Sequence, residues 1–278
     1  MGSNSIAPEW VIRFVAFASV LIIMAVWEAW APKRRLAIGR SARWPSNLGV
    51  LALDTLLVRI VFPSAAVGVA LLAEARGWGA LRTLAVPSTA AVVVSVVVLD
   101  LAIYLQHVLF HAVPVLWRLH RMHHADLDID VTTGVRFHPV EILLSLLIKV
   151  AVIVALGAPA LAVLIFEVLL NATSMFNHSN VRMPAGVDRI VRMLVVTPDM
   201  HRVHHSVVRA ETNSNFGFNF PWWDRLFGSY RAEPAAGHDG MTIGIEHFRD
   251  PAELRLDRML LQPLRQENDS YPILRPKK

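Results

Sequence analysis

The sequence predicts an all-α, polytopic membrane protein. Four or five membrane helices, the last two forming a hairpin, are expected to carry a helical cytosolic cap that encloses a histidine-rich di-metal site. Three observations predict it. Hydrophobic residues make up 54% of the 278 and charged residues 18%, with a mean hydropathy of +0.45, too apolar for an ordinary soluble enzyme and far from a disordered composition. Charge is segregated: of the 27 basic and 22 acidic side chains, 26 lie in the last 98 residues. Only five (Asp54, Arg59, Glu74, Arg76, Arg82) fall between Leu48 and Leu99. Finally, histidines recur at helical spacing where the apolar stretches end.

Val11 to Trp30 is apolar for the ~20 residues that a bilayer core requires. More apolar sequence follows it without a small-residue cleavage site, so it reads as an anchor and not as a signal peptide. The basic loop Lys33-Arg34-Arg35…Arg40…Arg43 comes next, and the positive-inside rule assigns it to the cytoplasm. Leu48–Ala73 is expected as a second span and Leu84–Leu105 as a third. Ile142–Leu156 and Ala160–Phe176 form the hairpin around the turn Gly157-Ala158-Pro159. Lys149 and Glu167 lie nine residues either side of Ala158, so the two arms should pair them at one depth. With three spans before His107, every histidine-rich segment falls on the cytoplasmic face, in a bacterial chain that of the inner membrane. The chain reads as a single domain: membrane helices over 10–106, first histidine segments over 107–139, hairpin over 140–176, cap over 177–260. A polar tail covers 261–278, and its last ~15 residues are expected to fray.

Cysteine is absent, which excludes disulfides, iron–sulfur clusters, thiolate haem ligation, cysteine nucleophiles and Cys-type zinc sites. The net charge of +5 does not argue for nucleic acid, because the basic residues form no dense run beyond Lys33–Arg35; a skirt beside a membrane segment accounts for them. The twelve histidines are then the strong nitrogen ligands available. His107 and His111 are four apart, on one face of a helix. His120, His123 and His124 share a second face, and His201, His204 and His205 repeat that spacing. A lone pair of histidines at i, i+4 usually means a polar helix face. Two triple sets are different, since packed imidazoles need partners for their protons and lone pairs in a low-dielectric rim. Eight imidazoles suit two metal ions with open positions. Imidazole serves zinc, copper, iron and nickel. No HExxH zinc-hydrolase pattern occurs, and open metals beside a greasy cavity suit dioxygen activation on a lipid, for which iron is the metal.

The succession HxxxH (His107–His111), HxxHH (His120–His124), RFHPxE (Arg136–Glu141), NHSN (Asn177–Asn180), HRVHH (His201–His205) and WDRLFGSY (Trp223–Tyr230) resembles the fatty acid hydroxylase/sterol desaturase superfamily over about Asp100 to Tyr230. The resemblance implies an integral-membrane oxidoreductase of lipid biosynthesis that holds two iron ions. Such a monooxygenase uses O2 and external electrons to hydroxylate or desaturate a lipid such as a fatty acyl chain or sterol. It carries metal ligation onto His107, His111, His120, His123, His124, His201, His204 and His205, and onto His178. His138, in the RFHPxE segment, is either a ligand or a donor behind one. Some members carry one more histidine a turn before His178; here that position is Ser174. No HPGG haem motif occurs, so the electron donor, cytochrome b5-like or a ferredoxin/reductase, is expected to be a separate protein.

Asp100, seven residues before His107, and Asp199, two before His201, are candidates to orient imidazoles through the distal N–H, or else cap or solvate their helices. Glu141 is expected behind the ligands too, in an ion pair with Arg136 or Arg121. Two alternatives stay in view. One is an ether-lipid or other hydrophobic-substrate monooxygenase on the same scaffold; carotenoid hydroxylases typically space their first pair HxxxxH, which this chain does not. The other is a non-enzymatic metal-binding or transport protein. Transport calls for ionisable residues deep in several spans, and only Asp54, Arg59, Lys149 and Glu167 qualify.

Overall fold

The computed structural model describes residues 8–266 and 270–274, and among them it contains fourteen α-helices, three short 3-10 turns and no strand. Five segments among the described residues are long and apolar enough to cross a membrane, and the chain is an integral membrane protein. Helix α1 is Glu9–Trp30. The expected second span is two helices, α2 (Arg40–Val61) and α3 (Ala65–Arg76). They break at Phe62-Pro63-Ser64, because Pro63 has no N–H to donate and its ring collides with the carbonyl four residues back. After the single turn α4 (Ala80–Thr83), the third span, α5, begins at Ser88 behind Pro87 and runs to Ala112, so that it carries His107 and His111 within the helix. Helix α6 (Pro114–His124) and the hairpin arms α7 (Pro139–Leu156) and α8 (Ala160–Asn177) follow.

The main core lies between α3, α5, α7 and α8, where Val67, Ala70, Leu99, Ile103, Ile153 and Phe166 interlock. Lys149 and Glu167 meet as the hairpin geometry requires, Nζ to Oε1 3.1 Å, and Arg13 of α1 adds a second cation to the same carboxylate. At the tip of the hairpin, Gly157 (φ 68°) closes α7, and its backbone lies so near Gly79 that a Cβ on Gly79 would come within 2.0 Å of the Gly157 nitrogen. Two glycines therefore let the α3–α4 connection cross the tip backbone to backbone.

At the opposite end the helices are sewn together by buried polar side chains. Glu28 accepts from the backbone N–H groups of Val131 and Asn180, both at 2.7 Å. The guanidinium of Arg43, fully buried, reaches Asp126 and Asp130 (2.7 and 2.5 Å) and the Thr133 hydroxyl, while Asn47 and Arg136 complete the network. Around this end fold the short helices of the cap: α9 (Ala185–Val191), α10 (Pro198–His204), α11 (Arg209–Thr212), α12 (Trp222–Leu226), α13 (Gly237–Gly240) and α14 (Leu256–Leu261). The expected fraying of the tail does not hold for residues 270–274. Tyr271 is buried and stacks on Trp117 at 5.4 Å, and the N–H groups of Ile273 and Leu274 donate to the carbonyls of His111 and Ala112. The Tyr271 ring and two backbone N–H groups are what anchor it. Residues 267–269 and 275–278 of that tail lie outside the described residues.

Candidate metal centre

Three helices and the end of a fourth aim the imidazoles at one volume. The last turns of α5 present His107 and His111 on one face. Helix α6 starts on Pro114, whose fixed φ suits the first helical position, and presents His120, His123 and His124. Helix α10 is placed by Thr197, whose hydroxyl accepts from the Met200 N–H, and by Pro198, three residues ahead of His201. His178 caps the C-terminus of α8. Nine imidazoles result, all buried, in two groups. His107, His111, His120, His124 and His204 form one, and His123, His178, His201 and His205 the other; within each, one nitrogen per ring lies within 4.8 Å of every other.

The hydrogen bonds behind the rings fix which nitrogens face inward. The Nδ1 of His107 lies 2.7 Å from the Phe216 carbonyl, that of His178 2.7 Å from the Ser174 carbonyl, and that of His204 2.7 Å from the Ser214 carbonyl. His123 Nδ1 faces the Arg136 carbonyl at 3.1 Å, His120 Nδ1 the Glu141 carboxylate at 2.7 Å, and His111 Nδ1 the Asn213 Oδ1 at 3.1 Å. Asn213 is oriented by its own Nδ2, which donates to the Tyr271 carbonyl at 2.8 Å. All six partners only accept, so each Nδ1 carries the proton and each Nε2 is a bare lone pair. Two sets of those lone pairs point at one another, His107 to His120 at 3.1 Å and His123 to His178 at 3.0 Å, with no proton left to sit between them; the His178 Nε2 also lies 3.1 Å from the His201 Nε2. Further buried ring nitrogens of His111, His124, His201, His204 and His205 have no hydrogen-bond partner at all. A buried orphan nitrogen costs about 1–3 kcal/mol, so a cation is what this donor set fits.

Burial first, and then repulsion from neighbouring imidazoles, pushes His123, His124, His201 and His205 well below the usual histidine range, and burial takes His178 down to about 3. The rings are neutral at physiological pH, the protonation state that binds metal. Phenylalanines wall the site on the membrane side. Phe137 stacks on His123 (4.5 Å, 12°), Phe216 lies edge-on to His107 and His204, and Phe218 joins the helical core while standing 5.1 Å from His107. These three side chains were not singled out by spacing; the run Asn215-Phe216-Gly217-Phe218 beside the last histidine segment was the signal available.

Several expectations need correction. His138 joins neither group: it is half-buried, its Nδ1 accepts from the Val140 N–H to cap α7, and its Nε2 lies 3.3 Å from the Leu260 carbonyl. The following proline commits it to the cap position. Asp100 receives the Trp223 indole N–H at 2.7 Å and touches no site imidazole. Asp199 pairs with Lys33 at 2.6 Å and with Arg202, and the imidazole nearest it is His238, outside the site. Glu141 does stand behind a site imidazole, His120, but not in an ion pair with an arginine. Arg136 donates to Asn47 and the Met122 carbonyl, and Arg121 to the carbonyls of Gln262 and Arg265. Ser174 donates to the Gly134 carbonyl at 2.7 Å, and its own carbonyl orients His178.

A model of the fatty acid hydroxylase family matches residues 92–229, which contain all nine clustered histidines. The chain belongs to the fatty acid hydroxylase/sterol desaturase superfamily. Among characterised members of this superfamily it is 32% identical over 148 residues to an ornithine lipid hydroxylase of Rhizobium tropici, covering 53% of this chain and 44% of that one. It is 27% identical over 150 residues to the alkylglycerol monooxygenase of Homo sapiens (54% and 32%) and 30% identical over 164 residues to the cholesterol 25-hydroxylase of Rattus norvegicus (58% and 53%). The matches therefore span about a third to a half of the relatives' own lengths. No solved structure matches.

Proposed function

We propose that the chain is an integral-membrane, O2-dependent lipid hydroxylase with two iron ions, one held by His107, His111, His120, His124 and His204, the other by His123, His178, His201 and His205. The observation that carries this reading is the inward-facing set of Nε2 lone pairs on six of the rings, whose protons are held on the far side by an acceptor on Nδ1. Nine clustered imidazoles exceed the four ligands a structural zinc takes, which favours open-coordination metals suited to O2 chemistry, and so iron. Hydroxylation is favoured over desaturation because the relatives are named hydroxylases and monooxygenases.

In the overall reaction a C–H bond of the lipid breaks and a C–O bond forms. One atom of O2 enters the product, and the other leaves as water with two electrons and two protons from a separate donor protein. Bound iron supplies the O2 and redox chemistry. The protein's own contribution is arrangement. Phe137, Phe216 and Phe218 exclude water and offer an apolar wall to an alkyl chain, and the acceptors behind six of the rings aim their Nε2 atoms inward. The site lies on the cytoplasmic face, because the basic loop Lys33–Arg43 connects α1 and α2 at this same end; in a bacterial cell this is the inner membrane. Metal analysis, oxygen uptake with a reductant, and lipid mass spectrometry of cells with and without the chain test the reading together. An iron-free active protein, or no lipid gaining an oxygen atom, would overturn it.

A further inference from the structure

Part of the cap reaches below the membrane surface. The Trp223 indole donates to Asp100, and Phe227 stacks on Tyr104 at 5.5 Å; both partners belong to the spanning helix α5. A hydrocarbon layer of ~30 Å measured from Ser88 along α5 extends, at ~1.5 Å per residue, to about His107. Asp100 and Tyr104 then lie roughly 10 and 5 Å inside it. The cap residues that touch them cannot be in bulk water.

These residues carry an apolar surface with nothing on it. Leu226 and Phe227 are 69% and 55% exposed, and Ile190, Met193 and Leu194 are 62%, 55% and 62% exposed. The two segments are one unit, since the Trp222 indole donates to the Met193 carbonyl (2.9 Å) and Arg225 to the Arg192 carbonyl (2.8 Å). Arg189 and Arg225, next in the chain to Ile190 and Leu226, are exposed and supply cations suited to lipid phosphates. An apolar patch of this kind on a cap in water is an aggregation hazard; beside spanning helices it is continuous with their lipid-facing surface.

We propose that α9 and α12, with the residues around them, form a wedge embedded in the cytoplasmic leaflet, with bilayer lipid as its occupant. The absence of cysteine gives a clean background for the test. Leu194→Cys and Leu226→Cys are each labelled with bimane in phosphatidylcholine–phosphatidylglycerol vesicles, with Ala236→Cys as an exposed cap reference. Lipids bearing a doxyl group high on the acyl chain should quench both wedge labels about twofold and spare the reference, while aqueous iodide should do the reverse. Iodide quenching at either wedge position overturns the proposal. Protection from both quenchers also overturns it, since a second copy or another protein then covers the patch. Met193→Cys and Phe227→Cys replace any variant that does not fold. Neither readout depends on activity or iron.

Discussion

Glu167 is the keystone of an intramembrane charge triad, and its replacement by leucine should reveal this. Lys149 lies ten residues from the start of α7 and seven from its end, near the bilayer centre, and is largely buried. Glu167 neutralises it at 3.1 Å while also holding Arg13, which has a second partner in Glu9 at 2.7 Å. Glu167→Leu strands Lys149 at a depth where an unpaired charge costs about 2.5–3.5 kcal/mol, whereas Arg13 falls back on Glu9. Lys149→Leu leaves Glu167 with Arg13 and should cost about 1 kcal/mol. The double Leu variant strands nothing, so it should be more stable than Glu167→Leu alone by about 2 kcal/mol. Equilibrium unfolding in mixed dodecylmaltoside–SDS micelles, followed by tryptophan fluorescence, reads all three. A double variant no more stable than Glu167→Leu, or equal costs for the two single substitutions, would refute the triad.

Other outcomes follow from the same geometry. His123→Ala and His204→Ala, one from each histidine group, should each abolish oxygen-dependent turnover and lower bound iron while membrane insertion persists, as metal analysis of membrane fractions would read. Glu141→Ala frees the Nδ1 of His120 and should weaken metal affinity 10–100-fold, about 1.4–2.7 kcal/mol, in a competition titration with a chelator. Stripped of metal, the protein should lose stability as pH falls below 6.5. Its buried imidazoles stay neutral while those of the unfolded chain bind protons, at about 1.4 kcal/mol per pH unit per group, down to about 3 for His178. A flat unfolding midpoint between pH 6.5 and 5 would contradict that. Gly157→Ala should destabilise by more than about 1 kcal/mol in thermal unfolding, since its φ is positive and its Cβ would lie 2.4 Å from the Trp78 carbonyl.

Features that repeat within one helix were legible from the sequence. Period-3.6 spacing declared the faces of His107/His111, His120–His124 and His201–His205, and equal distances from Ala158 declared the meeting of Lys149 with Glu167. Contacts between distant segments were not legible. Arg13, Arg43 with Asp126, and Asn213 behind His111 are ordinary polar residues until folding brings them to their partners from 83 to 154 positions away. The RFHPxE segment did not reveal that His138 caps α7, and closeness to a histidine along the chain did not reveal that Asp100 and Asp199 meet Trp223 and Lys33. Pro63 carried the break in the second span, where apolar sequence on both sides masked the missing donor.

The partners that hold the rings come from late in the chain, and this sets an order of manufacture. His107, His111 and His204 take their acceptors from Phe216, Asn213 and Ser214, and Asn213 is itself aligned by Tyr271 near the C-terminus. A ribosome that has just threaded α8 into the membrane has exposed fewer than all nine histidines, with two of them still free to choose the wrong tautomer. Such a half-made chain is a poor chelator. Tight capture of a metal ion would thus belong to the finished molecule, and a nascent chain would not trap a stray ion before the histidine helices have closed on each other.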